Sequence, residues 1–590
     1  MKQLVIGSVA FAVLMALGGC NSSSNDNTSS SLAEQSNQIG VDQTKPCTDV
    51  NHPCKLTILH TNDTHGRFWH NIDGEYGMAA QKTLVDRLKA EAKAAGSDVL
   101  VLSGGDVNTG VPESDLLKAE PDFIAMNEIG YDAMAVGNHE FDNPMSILKK
   151  QEGWAKFPML AANIYDKKTG KRIFSPYKVF KFENGLKIAV VGLTTEDTAI
   201  ISKQENVKDV DFRNPIQEAD KVIKDIRANN EANMVLAITH MGHYANALHG
   251  SNAPGDVTLA RTLKPGMLDA IIGGHSQNPV CMERSFLKYD TKFGPGEKCV
   301  PDEQNGTYIM QAYEWGKYVG HAEFSYVNGK LTLDKYELVP INLVKRDAKR
   351  NALKLADGSP DFYKPEIIKD PKLFETLQRY QDEGEKQLLV PVGDTDGLFM
   401  GERDVVRTQQ TNLGRLITTA TQTRLKADFA IVNSGGVRDN IQAGNITYRS
   451  VLQVQPFGNI VSWVHMNGSE LPDYLAALAT KTGGGYPQFS GLEMRVDCDA
   501  KKVDISKIDG QDFDPSKQYS FAIPDFSAAG GDGYPNISAK TTNVGLVDAV
   551  VLKEYIAQNS PLSAVAYDPN AKDQVQFFAA GRSVPSCPAK

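Results

Sequence analysis

Five short stretches of this chain each follow an apolar run with side chains able to bind a metal ion. Leu56–His65, LTILHTNDTH, sets Asp63 and His65 just past a run of strand formers. VLVLSGGD ends in Asp106, AMAVGNHEFD in Asn138, His139 and Asp142, MVLAITHMGH in His240, and DAIIGGHSQ in His275 and Gln277. Carboxylate, imidazole and amide oxygen together suit hard and borderline divalent cations. One D-x-H alone says little, because acidic and His residues are common in loops. Five such turns in succession carry enough oxygen and nitrogen ligands for two cations, the equipment of two-metal hydrolysis. That chemistry needs one carboxylate shared between the ions. Asp106 suits the role, since Gly104-Gly105 before it lets the backbone come close.

A second group of residues fits the handling of a phosphorylated, ring-bearing molecule. Arg403 and Arg407 fall in GERDVVR and Arg438 in NSGGVRD. Arginine binds phosphate bidentately and keeps its charge. Each of the three alone would read as a surface or salt-bridged Arg, but Gly435-Gly436 before Arg438 leaves room for a ligand. Phe457 in QPFGN and Phe526 in PDFSAAGGDGYP lie in Gly- and Pro-rich loops, outside the apolar runs that mark core phenylalanines. Two such rings can hold a nucleobase, at about 1–3 kcal/mol per stacked base. Among the remaining histidines, His60 lies inside a strand and reads as a hydrogen-bonded core residue. His70 and His249 read as surface residues, and His243, close to His240, as a solvated loop residue.

Strands must carry the metal-binding turns to one edge. In α/β proteins the loops leaving the carboxyl ends of parallel strands converge there. From Lys55 to about Val344, apolar strands alternate with helical patterns at Met78–Ala94 and Ile216–Asn229, which predicts an α/β layered domain. It closes on HAEFSYVNGKLTLDKYELVPI, a hairpin with Asn328-Gly329 as its turn. A charged stretch, 345–371, leads to a polar helix at Lys372–Lys386, read as a connector. From about Leu388 a second set of elements follows, with helices at Leu413–Leu425 and Glu470–Ala479 and strands at Asp428–Val432 and Ile460–His465. No internal repeat is visible. With the metal ligands in one domain and the aromatic clamp in the other, a substrate touching both needs facing domains and a hinge for release.

At 590 residues the chain exceeds a single core. A net charge of −10 with no basic stripe excludes nucleic-acid polymers as bulk ligands. Residues 1–20 read as an export signal: Lys2, an apolar Leu4–Leu17, then Leu17-Gly18-Gly19-Cys20. About 14 apolar residues fall short of the roughly 20 that span a bilayer. The L-G-G-C ending is that of a bacterial lipobox, so Cys20 is the expected lipidation site. Residues 21–45, rich in Ser, Asn and Gln, form the expected disordered tether. Asn21 is not the Asp of inner-membrane retention, so an outer-membrane lipid anchor within the cell envelope is expected. Six cysteines remain, an even number that suits disulfides in an exported chain, with fifteen possible pairings. Cys47–Cys54 and Cys281–Cys299 would close short loops and leave Cys498–Cys587 to pin the tail.

The set Asp63-x-His65, Gly104-Gly105-Asp106, Gly137-Asn138-His139-Glu140, His240 and Gly274-His275-Ser276-Gln277 resembles the calcineurin-like metallophosphoesterase superfamily. Gln277, where most members carry a second His, resembles the 5′-nucleotidase family, and within it the bacterial 5′-nucleotidase/UDP-sugar hydrolase branch. The resemblance runs from about Lys55 to about Ala566. It implies a four-layer N-terminal metallophosphoesterase domain with a β-sandwich core (46–345), a linker and connecting helix (346–387), and a C-terminal α/β nucleotidase domain (388–590). One divalent cation would be held by Asp63, His65, Asp106 and Gln277, the other by Asp106, Asn138, His240 and His275; Mg, Mn, Zn or Co would serve. His139 and Asp142 match the catalytic dyad. Arg403, Arg407, Arg438, Phe457, Asn459, Gly484, Phe526 and Asp532 match the substrate contacts. Ser434, where the family has Gly, is a departure that bears on the loop before Arg438. The family's domain rotation makes the Lys372–Lys386 helix or its end the hinge candidate. The implied activity is hydrolysis of extracytoplasmic 5′-nucleotides to nucleoside and phosphate by a monomer. UDP-sugar or other nucleotide pyrophosphate hydrolysis is the enzymatic rival, and a non-enzymatic surface lipoprotein is the alternative of another class.

Overall fold

In the N-terminal half, the apolar runs are long because both faces of the central strands are covered. The computed structural model describes residues 47–202, 204–249, 252–347, 352–571 and 574–588. The signal segment, Cys20 and the expected tether lie outside the described residues. Two six-stranded sheets form this half. The first runs in the order 330–340, 318–327, 54–61, 97–103, 133–135, 159–160, and the second 302–304, 307–310, 270–272, 234–240, 187–194, 177–181. Alternation along the strands separates three cores. Leu56, Ile58, Leu100 and Leu102 of the first sheet meet Ile188, Val190, Leu236 and Ile238 of the second in one buried layer. Their neighbours Leu59 and Val101 turn the other way, onto helices that carry Leu84, Val85, Phe123 and Leu148. On the far side, Val191, Val235 and Ile271 pack on Ala219, Val222 and Ile226 of the helix Pro215–Ala228. The result is helix, sheet, sheet, helix: four layers around a β-sandwich.

Parallel pairing sets the direction of the ligand turns. Strand 54–61 pairs in parallel with 97–103, with Ile58 opposite Leu100. Strand 234–240 pairs in parallel with both 187–194 and 270–272. The hairpin after Tyr318 turns at Asn328-Gly329, both with positive φ (50° and 83°), as a two-residue hairpin turn demands.

The connector is a helix, Pro371–Leu388, capped by the Asp370 side chain, which accepts from Leu373 N at 2.8 Å. It does not stand free between the halves. Leu373 and Leu377 are buried in the N-terminal helical core beside Ile341 and Ile367, and two buried leucines hold it there with about 3–6 kcal/mol. The charged stretch before it is likewise docked, with Asn342 exchanging two hydrogen bonds with the backbone of Ile367. Leu389 and Val390, just past its end, are exposed.

In the C-terminal half a five-stranded sheet runs 487–490, 429–433, 518–524, 460–467, 541–547. Helices Asn412–Leu425 and Asp548–Asn559 cover one face through Leu416, Ile417, Leu552 and Ile556. On the other face, helix Leu471–Ala479 and a second five-stranded sheet share a core built on Tyr474, Phe489, Phe521 and Phe577. Disulfides join Cys47 to Cys54, Cys281 to Cys299 and Cys498 to Cys587. The last ties the tail to the end of strand Leu492–Asp497 across 89 positions.

Candidate active site

Each metal-capable residue stands at or just past the carboxyl end of a parallel strand, and most stand on unusual backbone. Asp63, His65, Asp106, His275 and Gln277 all have φ between 49° and 77°. Non-glycine residues there cost of order 1–3 kcal/mol each, and such strain persists only where the surroundings enforce it. The enforcement is visible between turns. Asp63 N donates to Gly105 O at 2.9 Å and His65 N to Asp106 O at 3.1 Å. A Cβ at Gly137 would fall 2.2 Å from Asp106 Oδ1, and one at Gly104 would fall 2.3 Å from Gly273 O, so both positions must be glycine.

The candidate ligand atoms converge. Asp106 Oδ2 lies 2.9 Å from His240 Nε2 and 3.9 Å from His65 Nε2. Asn138 Oδ1 lies 2.8 Å from His275 Nδ1 and 3.1 Å from His240 Nε2. Gln277 Nε2 is 2.7 Å from His65 Nε2 while its Oε1 accepts from Arg403, so oxygen ligation by Gln277 requires its amide turned over. Backbone carbonyls fix two rings: His65 Nδ1 points at Thr109 O (2.9 Å) and His240 Nδ1 at Gly104 O (2.7 Å). Both then turn their Nε2 lone pairs inward, as metal-binding imidazoles do. Asp106 belongs to both trios of groups close enough to share an ion, one with His65 and His139, the other with His240 and His275.

Electrostatics agree with a need for cations. Burial opposes charge on His240, yet Asp106 and Asp63 raise its pKa to about 10. Burial and then His240 push His275 down to about 3, and burial raises Asp63 to about 6. Carboxylate, imidazole and amide groups crowded into a buried site, with the His65 and His240 rings oriented by backbone carbonyls, fit a pair of divalent ions that would displace the His240 proton.

His139 is placed differently from the other candidate ligands. Its Nδ1 is 2.5 Å from Asp142 Oδ2, and its Nε2 faces inward, 4.0 Å from Asp106 Oδ2. Burial lowers its pKa, but Asp142 and Asp106 outweigh this and the net shift is upward. Glu140, quoted in the motif but given no role from sequence, is a missed residue. Fully buried, it accepts from the backbone N–H of Asp106 (3.2 Å), Val107 (2.9 Å), Asn108 (3.3 Å) and Gly137 (2.6 Å), and from Asn108 Nδ2 (3.0 Å). One carboxylate thereby clamps the Asp106 turn to the Asn138 turn. Its sequence signal was a carboxylate directly after the Asn138-His139 turn, which does not reveal five converging N–H groups.

A cavity of about 280 Å³ opens over these groups, and both halves of the chain line it. From the N-terminal half come Asp106, Asn138, His139, Asp142, His275 and Gln277; from the C-terminal half come Arg403, Arg407, Arg438, Phe457, Asn459, Gly484, Phe526 and Asp532. Asp63, His65 and His240 lie buried behind it. Phe457 stacks on His139 with centroids 5.6 Å apart and planes 17° apart, and the Arg438 guanidinium is 5.5 Å from its ring centre. Burial, then Arg403 and Arg67, lowers Arg438 to about 10; burial, then Arg403 and Arg438, lowers Arg407 well below the usual guanidinium value. Mutually repelling guanidiniums are what an anion would relieve. Asp532 (φ 54°) accepts from Asn433 Nδ2 at 2.6 Å, and Asn459 Nδ2 donates to the buried Asp548 at 3.1 Å, so both are held at the rim. Ser434 does not narrow the cleft. Its Oγ turns away, 2.7 Å from Val406 O and 2.6 Å from Tyr486 O, stitching the Arg403–Val406 helix to the Gly483–Gly485 turn.

Two histidine readings need correction. His243 is not solvated: it is fully buried, with Nε2 2.8 Å from Asp302 Oδ2 and Nδ1 2.8 Å from Tyr289 Oη. His70 is half-buried against Trp69 and Phe374, and burial lowers its pKa to about 4. His60 is in the core as expected, with Nε2 3.3 Å from Tyr336 Oη and burial pushing its pKa to about 3.

Fold and site together define a metal-dependent phosphoester hydrolase. Residues 56–279 match the calcineurin-like phosphoesterase family model, and residues 391–539 match that of the 5′-nucleotidase C-terminal domain. A 5′-nucleotidase of Vibrio cholerae is 55% identical over 519 residues, covering 87% of this chain and 92% of the relative. Protein UshA of Escherichia coli is 51% identical over 524 residues, covering 88% and 94%. Among solved structures, a 5′-nucleotidase precursor from Thermus thermophilus superposes with a TM-score of 0.70 at 26% identity, covering 89% of this chain and 99% of that one. The chain belongs to the 5′-nucleotidase family.

Proposed function

We propose that the protein hydrolyses 5′-nucleotides to nucleoside and inorganic phosphate, with two divalent ions held by Asp63, His65, Asp106 and Gln277 and by Asp106, Asn138, His240 and His275. The observation that carries this reading is the single cavity in which the Asp106-centred ligand cluster faces three arginines and two phenylalanines. When bound, such ions lower the pKa of water and neutralise phosphoryl oxygens. The chain's own residues do the rest. Arg403, Arg407 and Arg438 hold the phosphate by fixed charge. Phe457 and Phe526 grip the base, with Asp532, Asn459 and Gly484 around the nucleoside. His139, oriented by Asp142, which raises its pKa, stabilises charge that develops on the phosphoryl group in the transition state. Because the connecting helix is docked, the hinge for product release is assigned to its exposed end at Leu389–Val390.

Domain boundaries of 46–345, 346–387 and 388–590 are part of the same proposal, as are a monomeric state and attachment to the outer membrane through lipid on Cys20. An export signal and three disulfides support a site of action outside the cytoplasm. No helix among the described residues is long and apolar enough to cross a membrane. The test is phosphate release from AMP by the wild-type protein and by His139→Ala. Loss of roughly 10²–10⁴-fold in turnover with metal content intact is expected. A wild-type protein that binds AMP and leaves it uncleaved would overturn the reading.

A further inference from the structure

The turn that carries His275 and Gln277 leaves its sheet and returns to it within a few residues. Gly273 N donates to Met310 O at 2.8 Å before the turn, and Val280 N donates to Gln311 O at 3.2 Å after it. Residues 274–279 loop out between these two bonds. His275 and Gln277 stand in the loop at φ 77° and 53°, which non-glycine residues hold only where their surroundings enforce it.

The two residues are held by different groups. His275 N donates to Asp63 Oδ2 at 3.0 Å, and the His275 ring meets Asn138 Oδ1 at 2.8 Å. Gln277 N instead donates to the side chain of Gln311, a fully buried residue just past the strand Thr307–Met310. One amide orientation satisfies both ends of Gln311. Its Oε1 accepts from Gln277 N at 2.9 Å and Asn278 N at 3.2 Å, and its Nε2 donates to Ser276 Oγ at 3.0 Å. Ser276 Oγ also accepts from His243 N at 3.0 Å. The His243 ring is in turn fixed between Asp302 Oδ2 and Tyr289 Oη, each 2.8 Å away. A chain of buried hydrogen bonds thus ends, through the Gln311 amide, on the main chain of Gln277. Buried backbone N–H groups are nearly always paired, so without the Gln311 oxygen this strained backbone must move to find another acceptor. A ligand on a side chain as long as Gln has a defined reach only while its main chain is fixed.

We propose that Gln311 is the positioning residue for Gln277, and through it for one ion only, the one assigned to Asp63, His65, Asp106 and Gln277. The inference rests on the two-ion reading of the site. Outer groups that orient a metal ligand change affinity by roughly 10–100-fold. The test is calorimetric titration of metal-stripped protein with Mn²⁺, for the wild type, Gln311→Met, Gln311→Glu, Gln277→Ala and the Gln277→Ala/Gln311→Met double variant. Gln311→Met keeps the length of the side chain and removes its acceptor. It should weaken one of two binding steps roughly 10–100-fold and leave the other unchanged. Gln311→Glu retains an acceptor for both N–H groups and should keep both steps. In the Gln277→Ala background Gln311→Met should change nothing further, because the ligand it positions is gone. Two undisturbed steps in Gln311→Met, equal weakening of both, or a further loss in the double variant overturns the proposal. If Gln311→Met does not fold, Gln311→Asn, which withdraws the amide by one methylene, decides: two undisturbed steps overturn it. A wild type that takes up fewer than two ions counts instead against the two-ion reading.

Discussion

Replacing Glu140 by Gln is nearly isosteric, so it removes a charge without opening a cavity. Glu140 Oε2 accepts from Gly137 N and Asp106 N; Oε1 accepts from Val107 N, Asn108 N and Asn108 Nδ2. Whichever way the amide turns, its NH₂ faces at least two N–H donors. Hydrogen bonds to a charged group contribute about 1.5–3 kcal/mol each, so losing two predicts about 3–6 kcal/mol. That is a large share of the 5–15 kcal/mol typical of whole domains. Burial and the neighbouring Asp106 raise the Glu140 pKa, against the pull of these donors, so the clamp already works against a desolvation cost. Urea unfolding of metal-free wild type and Glu140→Gln, followed by elemental analysis of both after metal loading, gives the two readouts. The variant should show a clearly lower midpoint, reduced metal content and roughly 100-fold lower turnover, because a misplacement of about 1 Å costs that much. An unchanged midpoint with full metal content would refute the clamp.

Asp142→Asn removes the larger of the two carboxylate influences that raise the His139 pKa. A group with a raised pKa is cationic below that pKa and loses its charge as pH rises through it, so the alkaline limb of the pH–rate profile should move to lower pH. A profile that keeps its limb would separate His139 from the titrating step. Alanine at Phe457 or Phe526 should raise KM by roughly 5–150-fold, equivalent to the 1–3 kcal/mol of a lost stack. Only Phe457→Ala, whose ring stacks on His139, should also change kcat. Cys20→Ser should release the protein from the membrane fraction on cell fractionation; retention there would exclude the lipid anchor.

The metal turns were legible because the chemistry needs few residue types and strands announce their ends. Asp63, Asp106 and His240 follow apolar runs that could only be buried strands, and glycines mark where turns approach. The four-layer order was not written in periodicity: strands covered on both faces read as continuous apolar runs, and it came from the family resemblance. Helix Pro371–Leu388 was legible as a polar helix at Lys372–Lys386, yet its docking was not, since Leu373 and Leu377 are too few to predict a partner. His243 was misjudged because its partners Tyr289 and Asp302 lie 46 and 59 residues away. Glu140 shares that reason: its four backbone donors and one side-chain donor converge only in three dimensions.

The central claim is that Asp106 sits between two catalytic cations. Phosphate release from AMP should be measured on protein stripped by a chelator, verified metal-free by elemental analysis, and then titrated with a divalent metal. Activity should vanish on stripping and return in full at two ions per chain. Full turnover by the metal-free protein, or complete recovery at one ion, would contradict it.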